Sequence, residues 1–557
     1  MLHPKQHITD LAEICYRKGI EHIVISPGSR NAPLIAAFVK RFGDQCISLV
    51  DERSAGYFSL GLARAGRKPV VMISTSGTAV LNYAPALAEA YYQHIPLLAI
   101  TADRPPELID QQDNQTIRQE NVYRNFIKRS YQIPTEIGSR ESLQRIHTTI
   151  LEAIAQTRLT IPGPVHLNVP LQEPLYDPLP EASNDLAPGQ DNIPKYKGPE
   201  IPDEFRSHWN EATQIMIIHG HSWPELSLPP ALGRIADDPR VVLVTENISN
   251  VSVPGTISNP EMLLAHREID PEMAPDLLIY SAGQVVSKRL KNYLRGITIP
   301  YSWRIGADEY PIDTFMQKNR INRVAAEVFY QKLVYMLRQG PYSDFKNYWL
   351  GASEASQAKS EEILKQLPFC DIKAFEQIFK ALPPGVILEL GNSSIIRYSQ
   401  IFRSRDDTTY FSNRGVSGID GCLSAAVGTA FASDRLTLSV LGDLSFVYDS
   451  NALWNERLPH NLRIIVINNH GGDIFNLIKG PDKQAFIQPF LMAHHPVSIQ
   501  KLAEAFNLNY FCSRNPEELG EQLNWFFKPG KQAALLEIIT PQEQNAISYR
   551  MLVERSQ

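Results

Sequence analysis

Two short turns hold the residue types best suited to chemistry. Gly442-Asp443 follows a run that reads as a buried strand, Leu436 to Leu441, and Asn468-Asn469 closes the next such run, Arg463 to Asn468. If the two strands are parallel neighbours, a carboxylate and an amide oxygen meet at their carboxyl ends, the usual ligand edge of such sheets. Oxygen donors of this kind suit a hard ion such as Mg²⁺ shared with phosphate oxygens, and a backbone carbonyl near Gly471 could add a third donor. A helix beginning near Ser445 would aim its N-terminus at the phosphate groups. Taken alone, the two turns are equally well read as a Gly-Asp turn and an Asn-rich turn with no shared role.

Glu52, in Val50-Asp51-Glu52-Arg53, stands where a strand passes into a helix. A carboxylate in a mainly apolar pocket has a raised pKa, which suits proton sharing. Its bland reading is a helix-start acid favoured by the macrodipole. The glycine turn Ser76-Gly77-Thr78 and Asn82 follow it. Cations recur in loops between predicted strands and helices: Arg30, Arg104, Lys288-Arg289, Arg397 and Arg414. A guanidinium offers a planar fork to a carboxylate, so several converging forks would suit polyanionic substrates. Each could equally be a solvated charge or a structural ion pair. His94, His470, His494 and His495 read as turn or loop residues, Tyr91-Tyr92 as part of a buried helix face, and Val285-Val286 as core.

These residues need a parallel sheet beneath them. Ile23 to Ser26, Cys46 to Val50, Pro69 to Ser74 and Pro96 to Thr101 are short apolar or β-branched runs, with helical patterns at Ser54 to Ala65 and Thr78 to Tyr92 between them. Such alternation predicts an α/β domain whose sheet is covered on both faces. Ala182 to Glu204 is rich in Pro, Asp, Asn and Gly and reads as a linker. A second α/β region follows, with strands at Gln214 to Ile218, Val241 to Val244 and Leu277 to Tyr280, and its end is blurred around 340–358. The last region repeats the first: 413–445 runs turn, helix, strand, glycine turn, as 51–78 does, with a further strand at Val386 to Glu389. Three domains are expected, 1–181, 182–350 and 351–557.

The 557 residues are 43% hydrophobic and 20% charged with a formal net charge of -6, an ordinary globular balance without the basic density of a nucleic-acid binder. Five scattered cysteines without a C-x-x-C pair argue against a disulfide framework or a zinc site and for reduced thiols in a cytoplasmic protein. The first ten residues lack the apolar core of a signal peptide, and no run is long enough to span a membrane.

The segments SPGSRNAPL (26–34), DERSAGYFSLGLA (51–63), STSGTAV (74–80), TADRPPEL (101–108), NQTIRQ (114–119), SKRL (287–290), GNSSIIR (391–397), SNRGVSGIDG (412–421), GDLSFVYDSNAL (442–453) and NNHGGDIF (468–475) together resemble the 2-succinyl-5-enolpyruvyl-6-hydroxy-3-cyclohexene-1-carboxylate synthases, thiamine-diphosphate enzymes of menaquinone biosynthesis. The Gly442-Asp443 turn has Leu444 where thiamine enzymes in general have a second glycine, and this form is the one the synthases use. The resemblance implies a pyrimidine-binding, a central and a diphosphate-binding domain, and a homodimer or homotetramer with sites at subunit interfaces. It implies thiamine diphosphate with Mg²⁺ or Mn²⁺ as cofactors.

By the same resemblance Glu52 is the catalytic acid that hydrogen-bonds the aminopyrimidine and helps the thiazolium lose its C2 proton. Gly77, Thr78, Asn82, Gln115, Ile419, Gly442, Leu444, Ser445, Ile474 and Phe475 join it at the cofactor. Asp443, Asn469 and the Gly471 carbonyl take the metal; His470 departs from the family's usual third asparagine. Ser29, Arg30, Arg104, Gln115, Lys288, Arg289, Ser393, Arg397 and Arg414 form the substrate set, with Ser393 and Arg397 one helical turn apart. The implied reaction is decarboxylation of 2-oxoglutarate and Stetter-like 1,4-addition to isochorismate. The rival reading is another thiamine-diphosphate synthase or 2-oxoacid decarboxylase of the acetolactate synthase type, whose small keto acids would not need so many guanidinium groups. FAD, which some relatives hold in the central domain, is not expected.

Overall fold

The computed structural model describes residues 3–159, 161–184, 186, 200–225, 227–308, 310–337, 343–477 and 485–553. Three six-stranded sheets follow one another along the chain. The first contains β1 (Ile23–Ile25), β2 (Cys46–Ser48), β3 (Val70–Ser74), β4 (Leu97–Asp103), β5 (Arg129–Gln132) and β6 (Val165–Pro170). The second contains β7 (Ile215–His219), β8 (Val241–Val244), β9 (Thr256–Ile257), β10 (Leu277–Ser281), β11 (Tyr301–Ile305) and β12 (Arg320–Asn322). The third contains β13 (Ile387–Leu390), β14 (Thr409–Phe411), β15 (Thr437–Gly442), β16 (Leu462–Asn468), β17 (Asn509–Ser513) and β18 (Ala534–Ile539). Central strands such as Val70–Ser74 are buried along their whole length, as strands with helices on both faces must be.

The internal likeness read from the sequence is a likeness of topology. The first sheet runs β2-β1-β3-β4-β6-β5 and the third β14-β13-β15-β16-β18-β17, the same order position for position. The central sheet, β12-β11-β10-β7-β8-β9, is wound differently. The two like halves meet through equivalent helices, Glu52–Gly66 and Cys422–Phe431. Their backbones approach so closely that a Cβ on Gly61 would lie 1.9 Å from the Ala425 carbonyl oxygen, and one on Gly428 would lie 2.0 Å from that of Phe58. At the end of this contact the Arg64 guanidinium is buried against Glu389, at 2.6 and 2.7 Å, and Thr429 donates to the same carboxylate at 2.6 Å. A buried pair persists when its geometry and further hydrogen bonds offset desolvation, and this one has both.

Some boundaries differ from expectation. The helix expected over Thr78 to Tyr92 is two helices, Thr78–Asn82 and Ala84–Gln93, because Pro85 supplies no N–H at the start of the second. Tyr92 is exposed rather than part of a buried face. Helix Asp203–Glu211 begins inside the segment read as a linker, of which 185 and 187–199 lie outside the described residues. The division drawn at 350/351 falls within helix Phe345–Gln366, whose Trp349 packs in the central core and whose Leu364 packs in the third. All five cysteines are free thiols. Among the described residues no helix is long and apolar enough to cross a membrane.

Candidate active site

β15 and β16 are parallel neighbours, with Gly442 opposite Ile467, so Asp443 and Asn469 emerge from adjacent strand ends. Both line one pocket with Asn392, Ser393, Ile419, Leu444 and Gly471. Asp443 opens helix Asp443–Tyr448, and its Oδ1 accepts the Leu444 N–H at 2.8 Å. The Asn469 amide donates to Asp371 at 2.8 Å, which fixes which way its oxygen faces. This leaves Asp443 Oδ2, Asn469 Oδ1 and Asp473 Oδ2 buried without a hydrogen-bond partner. Asp473 also lines the pocket. Buried polar atoms are rarely left unpaired, and several unpaired acceptor oxygens in one pocket are what a hard divalent cation requires. The Gly471 carbonyl accepts one bond, from Asp473 N at 3.1 Å, and keeps a second lone pair. The donor set therefore fits Mg²⁺ or Mn²⁺. Among the described residues no cluster of three or more His, Cys, Asp or Glu forms a different metal site.

Of the residues around this pocket, Asp371 was not singled out in the sequence and His495 reads there only as a loop residue. Asp371 receives hydrogen bonds from Asn469, from Thr540 at 2.5 Å and from Tyr398 at 3.1 Å. Burial pushes its carboxyl up to about 6, against the pull of those bonds. His495, in the loop before helix Ile499–Ala505, stands with Nε2 3.3 Å from Asp443 Oδ2 but outside hydrogen-bond geometry, so that oxygen stays unpaired. Neither position has a local sequence signal; both depend on tertiary contact. Ser445 donates to the Ile419 carbonyl at 2.9 Å and so holds the loop that presents Ile419 to the pocket. Ile474 and Phe475, half-buried, open the short helix Ile474–Leu477 beyond the metal turn.

The first sheet presents the other half of the expected set. Asp51 caps helix Glu52–Gly66 by accepting Ser54 N–H at 3.1 Å, which makes Glu52 its first residue. Burial raises the Glu52 carboxyl above its ordinary value, with the neighbouring Asp51 charge adding to the effect. Gly77 has φ +79°, and a Cβ there would lie 2.8 Å from the Gln115 side chain. Its N–H donates to Gln119 at 2.9 Å; Gln119 in turn donates to the Ala102 carbonyl and to Asn168, each at 3.0 Å. Gln119 thus locks the glycine turn to the end of β4. Ser29, Thr78, Asn82 and Gln115 are exposed on this face, and Glu52 is half-buried. None of them lines the Asp443 pocket. Apolar side chains lie open here too: Val50, two residues before Glu52, Leu81 on helix Thr78–Asn82, and Tyr448 under the Arg53 guanidinium are 45%, 47% and 55% exposed.

The cations divide into engaged and available. Arg30 is buried, donating to the Leu171 carbonyl at 2.8 Å and pairing with Glu173 at 3.0 Å. Arg104 donates to the Asn114 carbonyl at 2.9 Å. Arg289 pairs with Glu261 at 3.2 Å, whereas Lys288 is exposed. Arg414 donates to Asn392 Oδ1 at 2.8 Å, leaving its Nε unpartnered, as is Arg397 Nε. Ser393 is not in a helix with Arg397: it precedes helix Ser394–Ser399 with φ +69°, so the one-turn spacing does not set their relation. Ser393 lines the pocket with Ser394, whereas Arg397 is not among its lining residues.

A doubly represented parallel fold, a sheet-end oxygen set fit for a divalent ion and a carboxylate at the head of the equivalent helix define a thiamine-diphosphate enzyme. Comparison with known families agrees: residues 8–122 match the thiamine pyrophosphate enzyme N-terminal TPP binding domain, and residues 389–538 match the C-terminal TPP binding domain. The chain is 42% identical over 510 residues, 91% of its length and 93% of the relative's, to 2-succinyl-5-enolpyruvyl-6-hydroxy-3-cyclohexene-1-carboxylate synthase of Desulfotalea psychrophila. It is 38% identical to the synthase of the same name from Flavobacterium psychrophilum and 36% identical to that of Flavobacterium johnsoniae, each over 98% of both chains. The chain belongs to the 2-succinyl-5-enolpyruvyl-6-hydroxy-3-cyclohexene-1-carboxylate synthase family.

Proposed function

We propose that this chain is a transferase that decarboxylates 2-oxoglutarate and adds the remaining four-carbon unit to isochorismate by a Stetter-like 1,4-addition. The products are 2-succinyl-5-enolpyruvyl-6-hydroxy-3-cyclohexene-1-carboxylate and CO₂, on the route to menaquinone or phylloquinone in the cytoplasm. The observation that carries this reading is full-length likeness to synthases of that name, together with the unpaired oxygens at the ends of β15 and β16. Bound thiamine diphosphate supplies the electron sink that makes decarboxylation and carbon–carbon bond formation possible.

Residues 351–557 hold the diphosphate end. Asp443, Asn469 and the Gly471 carbonyl take the Mg²⁺ or Mn²⁺, and Gly442, Leu444, Ser445, Ile474 and Phe475 surround the cofactor, with Ile419 beneath it. Residues 1–181 hold the pyrimidine end through Glu52, Gly77, Thr78, Asn82 and Gln115. Glu52 shares a proton with the aminopyrimidine, and its raised pKa suits that exchange. Arg397 and Ser393 grip the carboxylate that survives decarboxylation, with Arg414 beside them. Ser29, Arg30, Arg104, Gln115 and, from residues 182–350, Lys288 and Arg289 receive isochorismate. Because none of the exposed first-domain set lines the Asp443 pocket, and apolar side chains of the first domain stay open, a second copy completes each site in a homodimer or homotetramer.

The test is CO₂ release from 2-oxoglutarate with thiamine diphosphate and Mg²⁺, followed with and without isochorismate. Release coupled to loss of isochorismate is expected. Rapid turnover of pyruvate, indifferent to isochorismate, would contradict the reading.

A further inference from the structure

The loop that carries Arg414, between β14 and helix Cys422–Phe431, is held from all three domains. From its own domain, Asn392 donates to the carbonyls of Asn413 and Gly418, both at 2.7 Å, while accepting from Arg414 at 2.8 Å. From the central domain, Gln284 donates to the Gly415 carbonyl at 2.9 Å. From the first domain comes a carboxylate. Glu89, on helix Ala84–Gln93, is fully buried, yet it makes no ion pair at salt-bridge distance among the described residues. Its two oxygens instead accept the backbone N–H groups of Gly415 and Val416, the second at 2.7 Å. Gly415 lies so close that a Cβ would stand 2.5 Å from the Glu89 carbonyl oxygen. The next helical turn adds Gln93, which donates to Glu89 and, at 3.2 Å, to the Ser412 carbonyl.

A buried carboxylate paired only by hydrogen bonds is costly to desolvate, and a neutral acceptor would serve a purely structural loop with less penalty. The two N–H groups Glu89 binds directly follow Arg414, so its charge fixes the backbone from which that guanidinium springs. Burial disfavours the Arg414 charge, the carboxylates Glu246 and Glu89 favour it, and the Arg397 charge opposes it.

We propose that Glu89 is a positioning residue for the reaction: by clamping Gly415 and Val416 it sets the Arg414 guanidinium against the anionic substrate, which Glu89 itself does not touch. This rests on the reading of Arg414 as a substrate contact given above.

The experiment is a double-mutant cycle of Glu89→Gln and Arg414→Ala in the cofactor-loaded enzyme, with KM for 2-oxoglutarate and kcat measured separately and cofactor affinity and Tm recorded for each variant. Glu89→Gln keeps one acceptor but turns an NH₂ toward the other backbone N–H. It is expected to raise KM about tenfold, the scale of one charge-assisted contact, with a smaller change in kcat and cofactor affinity unchanged. In the Arg414→Ala background the same substitution should add nothing. An unchanged KM in Glu89→Gln, or an equal rise in both backgrounds, would overturn the proposal. If Glu89→Gln does not fold, Glu89→Asp replaces it; that shorter carboxylate must raise KM in the wild-type background alone, and a wild-type KM there overturns the proposal equally. If Arg414→Ala itself leaves KM for 2-oxoglutarate unchanged, the assignment of Arg414 is what fails, and a KM rise in Glu89→Gln would then be without its proposed route.

Discussion

At the ends of β15 and β16 the chain buries oxygen atoms and leaves them unpaired; at the ends of β2 and β3 it leaves polar side chains open on the surface. The two sheets have the same strand order. What differs is the loop chemistry grafted on that order. The third sheet builds a closed pocket around a carboxylate and an amide whose orientation is fixed by Asp371. The first builds a half-buried glutamate, a glycine turn locked by Gln119 and an exposed apolar rim. One half fits a divalent ion; the other leaves polar and apolar side chains open. On the proposed reading the same strand order supplies two unlike parts of one site, so that function resides in the loops rather than the sheet.

The comparison can be broken most sharply at Glu52. Glu52→Gln should lower turnover by about two to four orders of magnitude, the range of a lost proton-transfer partner, while cofactor affinity changes little. Exchange of the thiazolium C2 proton, followed by NMR, reports this directly; near-normal exchange in the variant would remove Glu52 from its role. The third-sheet counterpart is Asp443→Ala, which should weaken cofactor binding about ten- to hundredfold at limiting metal and much less at saturating metal. Titration of the cofactor at two Mg²⁺ concentrations separates these, and equal affinities would mean Asp443 is not a ligand.

These two residues were legible in the sequence because each sits beside a turn with its own signature: Asp51 caps the helix that Glu52 opens, and Gly442 precedes Asp443 at a strand end. The sheets were legible for a similar reason, since apolar runs such as VVMIS are buried on both faces. The supports of the site were not. Asp371 and Glu89 are polar residues in ordinary surroundings, and each acts on a residue about a hundred or more positions away, so no local pattern marks them; Gln119 lies in the NQTIRQ segment, but nothing local shows that it locks Gly77. Ser393 misled for a different reason: a spacing of four suggests a shared helical face, but its positive φ puts it outside the helix. Helix Phe345–Gln366 blurred the domain border because one continuous element serves two cores.

A smaller effect is expected at Arg397. Losing one charge-assisted contact to a buried carboxylate costs about 1.5–3 kcal/mol, so Arg397→Ala should raise KM for 2-oxoglutarate roughly ten- to hundredfold at most and relax selectivity toward shorter keto acids. Arg104→Ala should instead impair use of isochorismate. Steady-state kinetics with each substrate varied in turn distinguishes the two, and a uniform effect of both variants on both substrates would dissolve the division.

The smallest effect concerns stability in the central domain. Glu246 accepts the N–H groups of Val286 and Ser287, each at 2.6 Å, and burial pushes its carboxyl up to about 7 from 4.5. Between those two values the folded chain binds more protons than the unfolded one, so this group's contribution to stability is present at the acid side and is lost as pH rises toward 7. Glu246→Gln removes that loss. Its urea midpoint relative to wild type should therefore climb between pH 4.5 and pH 7; a constant difference would show that Glu246 does not titrate there.

The most direct test of a site divided between the two like sheets is complementation. Glu52→Gln and Asp443→Ala chains, each with little activity alone at limiting cofactor and metal, are unfolded together, refolded and assayed as a mixture under those conditions. If the pyrimidine half of one copy meets the diphosphate half of another, mixed assemblies contain sites with both residues intact, and activity should recover toward about one quarter of wild type by random pairing. If each site is built within one chain, every site carries a defect and the mixture stays as inactive as its parts, which would contradict the account.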